Sequence, residues 1–93
     1  MTLSEACSLM KQSLNDCAYE MGSTSYQDHC KAIRVSPDYS GDKIIVEIDM
    51  YVVDPAYKEE VMENVASIIR SANSMHHIPY TTRYTVNFEY KRW

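Results

Sequence analysis

The stretch from Lys43 to Pro55, KIIVEIDMYVVDP, decides the fold of this chain. Every second residue along it is apolar, and these residues are Ile44, Val46, Ile48, Met50 and Val52. The residues between them are mixed in character: Ile45, Glu47, Asp49, Tyr51 and Val53. Because the side chains of a strand alternate between its two faces, this pattern predicts a strand over residues 43–53 with one face on a core. We expect the other face to be partly solvated.

The dipeptide Asp54-Pro55 predicts that a helix begins directly after this strand. Aspartate is a favoured N-cap, and proline fits the first helical position. The helix should cover about residues 55–75, and its apolar stripe consists of Tyr57, Val61, Val65, Ile68, Ala72 and Met75. Further along the chain, aromatic or apolar residues alternate with mostly polar ones, and this pattern predicts a last strand over residues 83–93. This strand–helix–strand unit should form a right-handed crossover, which places its two strands parallel.

The N-terminal part of the chain predicts a helix over about residues 3–21. Thr2 and Glu5 have the spacing of a capping box at its start. Its apolar stripe, at alternating steps of four and three, consists of Leu3, Cys7, Met10, Leu14, Cys17 and Met21. Gly22 stands where a left-handed C-terminal cap would fall, so we expect the helix to end there.

A strand over residues 29–36 should follow, and residues 37–42 (PDYSGD) predict a hairpin turn. Pro37 fixes φ, Asp38 can bond the backbone, and Gly41 can take a positive φ. The 93 residues therefore predict one α+β domain with the order helix–strand–strand–helix–strand. We expect a two-layer sandwich in which a three-stranded mixed sheet carries both helices on one face.

Composition limits the classes of function and location. The formal net charge of −4 argues against broad binding to a phosphate backbone, which requires a basic face. The three cysteines are an odd and sparse set, so we expect no disulfide framework. No run approaches the ~18 apolar residues of a membrane span, and the first residues lack the basic segment of a signal peptide. We therefore expect a cytoplasmic protein without a membrane partner.

Candidate catalytic and metal-binding residues do not form a recognised motif. His76-His77 and His29-Cys30 are adjacent pairs, and no ligand spacing joins them. Glu47 and Asp49 share one strand face and could in principle exchange protons, but no pocket-forming loop surrounds them. We predict no catalytic residue, metal, cofactor or small-molecule substrate, and hence a protein that is not an enzyme.

The uncovered face of the sheet is the candidate functional surface. It combines aromatic, basic and apolar side chains, the composition of an interaction site, in Ile45, Tyr51, Val53, Lys91 and Trp93. A three-stranded sheet also has two edges, and an unpaired edge invites another strand. We predict a small binding or assembly protein, for instance a phage or host assembly factor, whose partner is another protein or further copies of itself.

Four parts of the chain carry a resemblance to a known family. These parts are a turn at residues 35–38 (VSPD), the strand over residues 43–53, a central helix over residues 61–71 and an aromatic residue of the last strand, Phe88. In these features the chain resembles the ribosome-binding factor A family, which has a type II KH-like fold. The resemblance spans about residues 33–88 and implies the same order of elements.

The family's pattern is incomplete in this chain. Its glycine-marked helix break has no counterpart in residues 66–69 (ASII), and its arginine-proline signature is absent from residues 78–83 (IPYTTR). The resemblance nevertheless implies an alternative function, an RNA-binding module in ribosome assembly. Basic residues would then contact phosphates while exposed tyrosines stack on bases. Those basic residues are Lys31, Arg34, Arg83, Lys91 and Arg92.

Overall fold

The computed structural model describes residues 1–22 and 29–90. Its helices and strands are α1 (Leu3–Asp16), β1 (His29–Asp38), β2 (Lys43–Val52), α2 (Lys58–Met75) and β3 (Thr81–Tyr90). Short 3₁₀ turns at Ala18–Glu20 and Pro55–Tyr57 extend α1 and precede α2. This confirms the predicted α+β class and element order. Lys91, Arg92 and Trp93, which the sequence predictions also used, lie outside the described residues.

The sheet has the order β1-β2-β3, with β2 in the centre. β1 pairs antiparallel with β2 through the hairpin, and β2 pairs parallel with β3, as the crossover predicted. Within the hairpin turn, the Asp38 carboxylate accepts hydrogen bonds from the backbone N–H of Ser40 at 3.2 Å and of Gly41 at 3.3 Å. The positive φ of this turn belongs to Asp42, at 50°, and not to Gly41, so that detail of the prediction was wrong.

Both helices pack on one face of the sheet and form a single hydrophobic core with it. All five apolar residues that the alternation placed on this face of β2 are buried: Ile44, Val46, Ile48, Met50 and Val52. The helices contribute Leu3, Ala6, Cys7, Met10 and Leu14 from α1, and Val61, Val65, Ile68, Ile69 and Ala72 from α2. Removal of this apolar surface from water is the main stabilising term of the fold. None of the described helices is long and apolar enough to span a membrane.

The helix ends differ from the sequence prediction. α1 ends at Asp16, because the next turn tightens into 3₁₀ geometry in which the Glu20 N–H donates to the Cys17 carbonyl at 2.9 Å. Met21 is nevertheless fully buried, so its place in the apolar stripe was correct. Gly22 has no positive φ, and the expected left-handed cap at this residue is wrong.

α2 begins at Lys58, three residues later than expected, since a 3₁₀ turn occupies Pro55–Tyr57. Asp54 caps this turn as predicted, and its carboxylate accepts the Ala56 N–H at 2.9 Å. At its C-terminus α2 closes through His77, which has a φ of 50°. The Ile78 N–H donates to the Asn73 carbonyl at 3.0 Å and the His77 N–H to the Ser74 carbonyl at 3.3 Å, the two bonds of a Schellman motif.

The two isoleucines Ile48 and Ile45 test the one-sided burial of β2. Ile48 is fully buried and Ile45 is half-buried on the opposite face. Ile48→Ala should lower the free energy of unfolding by about 2–5 kcal/mol, because it leaves a cavity in the core. Ile45→Ala makes the same chemical change and should cost much less. Urea unfolding followed by circular dichroism measures both, and equal losses would contradict the assignment of faces.

Candidate functional site

The face of the sheet opposite the helices is called the open face here. Residues paired across neighbouring strands point to the same side of a sheet, so the register defines its members. They are His29, Ala32, Arg34, Ser36 and Asp38 on β1, Lys43, Ile45, Glu47, Asp49 and Tyr51 on β2, and Thr81, Arg83, Thr85, Asn87 and Glu89 on β3. Most are polar or charged, which confirms that this face is solvated.

A hydrogen-bonded network crosses all three strands at the centre of the open face. The Arg34 guanidinium donates to both carboxylate oxygens of Asp49, Nη1 at 2.8 Å and Nη2 at 2.9 Å, and Nη2 also reaches Glu47. The Asn87 side-chain amide donates to Asp49 at 2.9 Å and to Glu47 at 3.3 Å. The bidentate geometry fixes the orientation of the arginine as well as its position. The network therefore orders the middle of this surface.

The electrostatics of the network oppose acid–base catalysis. Hydrogen bonds from Arg34 and Asn87 lower the pKa of Asp49 to about 2. The hydrogen bonds that Arg34 donates to Asp49 and Glu47 raise the pKa of the guanidinium. A general base for neutral pH requires a pKa shifted towards 7, and Asp49 is shifted the other way. Glu47 and Asp49 thus act here as acceptors for a cation.

A second set of contacts holds the end of the open face near Tyr51. The rings of His29 and Tyr51 stack with centroids 5.1 Å apart and planes 23° apart. Lys31, which falls at a register shift between Cys30 and Ala32, forms an ion pair with Glu89 on β3. This ion pair is exposed, and pairs of this kind contribute little stability. It joins the two outer strands, β1 and β3, across β2.

The predicted interface residues do not form one continuous patch in the described chain. Ile45 and Tyr51 both lie on the open face and are half-buried, as β2 predicted. The network at Glu47 and Asp49 separates them along the strand. Val53 directly follows β2 at the Tyr51 end. Lys91 and Trp93 continue the chain after β3, outside the described residues, so their place in this surface stays a prediction.

Of the basic residues proposed for RNA, the structure describes Lys31, Arg34 and Arg83, and it does not bring these three into one patch. Lys31 of β1 is paired with Glu89 of β3, and Arg34 of β1 with Glu47 and Asp49 of β2. Arg83 lies at the other end of the face, and the described residues place no carboxylate within 4.0 Å of it. The sequence did not reveal the partners of Arg34, because Glu47 and Asp49 come from β2 and their pairing depends on the register between β1 and β2.

The outer edge of β3 is a further candidate surface. The sequence predicted two sheet edges but did not distinguish between them. The β3 side chains on the helix-covered side are incompletely covered: Tyr84, Val86 and Phe88 are half-buried, and Tyr90 is 37% exposed. The rings of Phe88 and Tyr90 lie parallel, 6.4 Å apart. The Lys58 ammonium lies 5.4 Å from the Phe88 centroid, within cation–π range. An apolar strip therefore follows this edge.

The contacts and burial of His76 and of the three cysteines fit a role in packing. Ser13 Oγ and His76 Nε2 are 3.0 Å apart and join the ends of α1 and α2, beside a groove of about 190 Å³ that Cys17 also lines. Burial raises the pKa of the thiols of Cys7, Cys17 and Cys30, which disfavours the reactive thiolate. None of the three forms a disulfide. Within residues 1–22 and 29–90, no three potential ligands from His, Cys, Asp and Glu come together as a metal site.

Comparisons with models of protein families, with curated proteins and with solved structures gave no match. The resemblance to the ribosome-binding factor A family therefore stays a prediction from the sequence.

The Asp49 carboxyl should titrate near pH 2, and Arg34→Gln should raise its pKa towards the ordinary 3.8. The folded-state pKa lies below the unfolded value, so the network stabilises the fold fully above the unfolded value. This contribution should be lost as the pH falls from about 4 to about 2. Carboxyl carbon NMR titration measures the pKa directly.

Arg83→Gln is the matched control for this titration, because it removes the same charge from the same face. Arg83 lies opposite Ile45 and Asp49 lies opposite Asn87, four residues further along β3. At physiological salt, charges beyond roughly 8 Å are largely screened. An Asp49 pKa near 3.8 in the unsubstituted protein, or an equal shift in both variants, would rule out the network.

Proposed function

We propose that this chain is a small non-enzymatic binding or assembly protein that acts through protein–protein contacts of its open face or of a strand edge. One observation carries the proposal. Both helices pack on the same side of the sheet, so the opposite face and the outer edges have no covering element in the described chain. A surface of this kind binds through a few anchoring side chains among neutral polar contacts.

Tyr51 is the anchor best supported by its surroundings. Its ring is half-buried and stacked on His29, so it loses little conformational freedom when a partner covers it. Its phenol adds a polar group at the rim of the contact. Val53 directly follows β2 beside this anchor. Lys91 and Trp93 follow β3 in the sequence, and their part in the contact rests on the sequence alone.

The size of the molecule agrees with such a contact. A stable interface buries roughly 800 Å² on each partner. One side of a three-stranded sheet with ten-residue strands offers an area of that order. The Arg34 network supplies donors and acceptors of fixed direction at the centre of the open face, and these favour specific over non-specific binding.

The absence of an enzymatic role is part of the proposal. The pKa of Asp49 is lowered and those of the three cysteines are raised, each away from a value useful for catalysis at neutral pH. An RNA-binding role remains the alternative proposal. It would rest on Arg83 with Lys91 and Arg92, because carboxylates already hold Lys31 and Arg34.

Tyr51→Ala and Trp93→Ala should weaken association with a protein partner by about tenfold or more, because aromatic anchors dominate interface energies. The partner is captured from a native lysate on the immobilised chain, identified by mass spectrometry and then titrated against each variant. Tyr39→Ala is the matched control, since Tyr39 is 71% exposed in the hairpin turn.

Circular dichroism must show that all three variants remain folded. Equal capture by the unsubstituted chain and by Tyr51→Ala and Trp93→Ala would refute the open-face contact. Binding of the chain to a mixed RNA pool, measured at two salt concentrations, tests the alternative RNA-binding role. Binding that falls steeply with salt would favour RNA over a protein partner.

A further inference from the structure

β3 is an outer strand, and no described strand lies beside its far edge. Its ten residues pair with β2 without a register shift. Every second residue of such a strand directs its N–H and C=O away from the sheet, so β3 presents a regular row of donors and acceptors. This row is long enough to add a further strand.

The other edge of the sheet is less suited to pairing. β1 contains a register shift at Lys31 and a proline at Pro37. A bulge twists a strand edge, and a proline lacks the N–H that a new neighbour would use. Both features are known ways in which proteins protect an edge against pairing. β3 has neither of them.

We infer that the β3 edge is a self-pairing site, at which β3 aligns antiparallel with β3 of a second copy of this chain. The two sheets would join into one sheet of six strands with all four helices on the same side. This inference rests on the proposed function, because it names the partner for one of the two surfaces proposed there.

The sequence of β3 is complementary to itself in one antiparallel register. When Val86 lies opposite Val86 of the second copy, Tyr84 lies opposite Phe88 and Thr85 lies opposite Asn87. The aromatic pairs fall on the helix-covered side, where these residues are half-buried in the single chain. Pairing would therefore cover the apolar strip along the edge. Cross-strand aromatic pairs are among the stabilising contacts of antiparallel sheets.

The charges select the same register. With Val86 at the centre, Arg83 of each copy lies opposite Glu89 of the other, which gives two opposite-charge pairs on the open face. A register centred on Thr85 or on Asn87 loses both pairs. A register centred on Glu89 would place two glutamates together. The charges of β3 therefore favour the register centred on Val86 and disfavour the register centred on Glu89.

Both charged residues are available for this contact. Arg83 has no carboxylate within 4.0 Å among the described residues. Glu89 pairs with Lys31, but its side chain is still 61% exposed, and a carboxylate can accept from two cations.

Charge reversal tests the register directly by sedimentation equilibrium, from low micromolar to the highest soluble concentration. The unsubstituted chain should dimerise, and Arg83→Glu or Glu89→Arg alone should weaken dimerisation roughly tenfold or more, because each creates two like-charge pairs. An equimolar mixture of the two variants restores both opposite-charge pairs and should form a heterodimer. The double variant should regain its own dimer for the same reason.

Lys11→Glu is the matched control, since it makes the same charge change on an exposed residue of α1, away from the sheet. It should leave the dimer unchanged. A chain that stays monomeric, or single variants whose mixture fails to associate, would overturn the edge pairing. Neither result would decide the proposed function, because the capture experiment includes Tyr51→Ala, which tests a contact of the central strand β2 and not of the β3 edge. If the unsubstituted chain dimerises and both Tyr51→Ala and Trp93→Ala capture as much partner from the lysate as it does, the β3 edge remains as the contact.

Discussion

One-sided burial of β2 is the constraint on which the rest of this structure depends. Five apolar side chains on one face of the central strand fill the space under both helices. Because side chains alternate, the same strand must present the intervening residues to the opposite side. A chain of 93 residues has no further described helix to cover that side. The open face follows directly from the packing of the core.

The chemistry of the open face fits this position. Glu47 and Asp49 are carboxylates on a central strand, where repulsion between them would be unfavourable without a cation. Arg34 from one neighbouring strand and Asn87 from the other supply the donors. The three strands are thereby linked on the solvated side as well as in the core. The result is an ordered polar surface with Tyr51 at one end and Arg83 at the other.

The alternation in β2 and the Asp54-Pro55 helix start correctly predicted the parallel pairing of β2 with β3 and the buried residues of β2. Met75, which the predicted stripe of α2 included, is 69% exposed, so that part of the prediction was wrong. The helix ends were less predictable, because a 3₁₀ turn or a Schellman motif depends on backbone bonds that the apolar stripe does not reveal. His76 and His77 illustrate this point, since His76 contacts Ser13 and the positive φ of His77 ends α2, and the sequence revealed neither role. The Arg34 network was not predicted because it depends on the register of three strands.

The self-complementary order of charges along β3 was present in the sequence, but its meaning depended on knowing that β3 is an outer strand. A residue-by-residue map of association tests the central claim that this molecule meets others on the side its helices leave uncovered. Amide NMR spectra, recorded as the concentration of the chain or of its captured partner rises, provide that map. The account predicts that perturbed residues lie on β3 and among the open-face residues. Perturbations confined to the solvent-facing sides of α1 and α2 would contradict it.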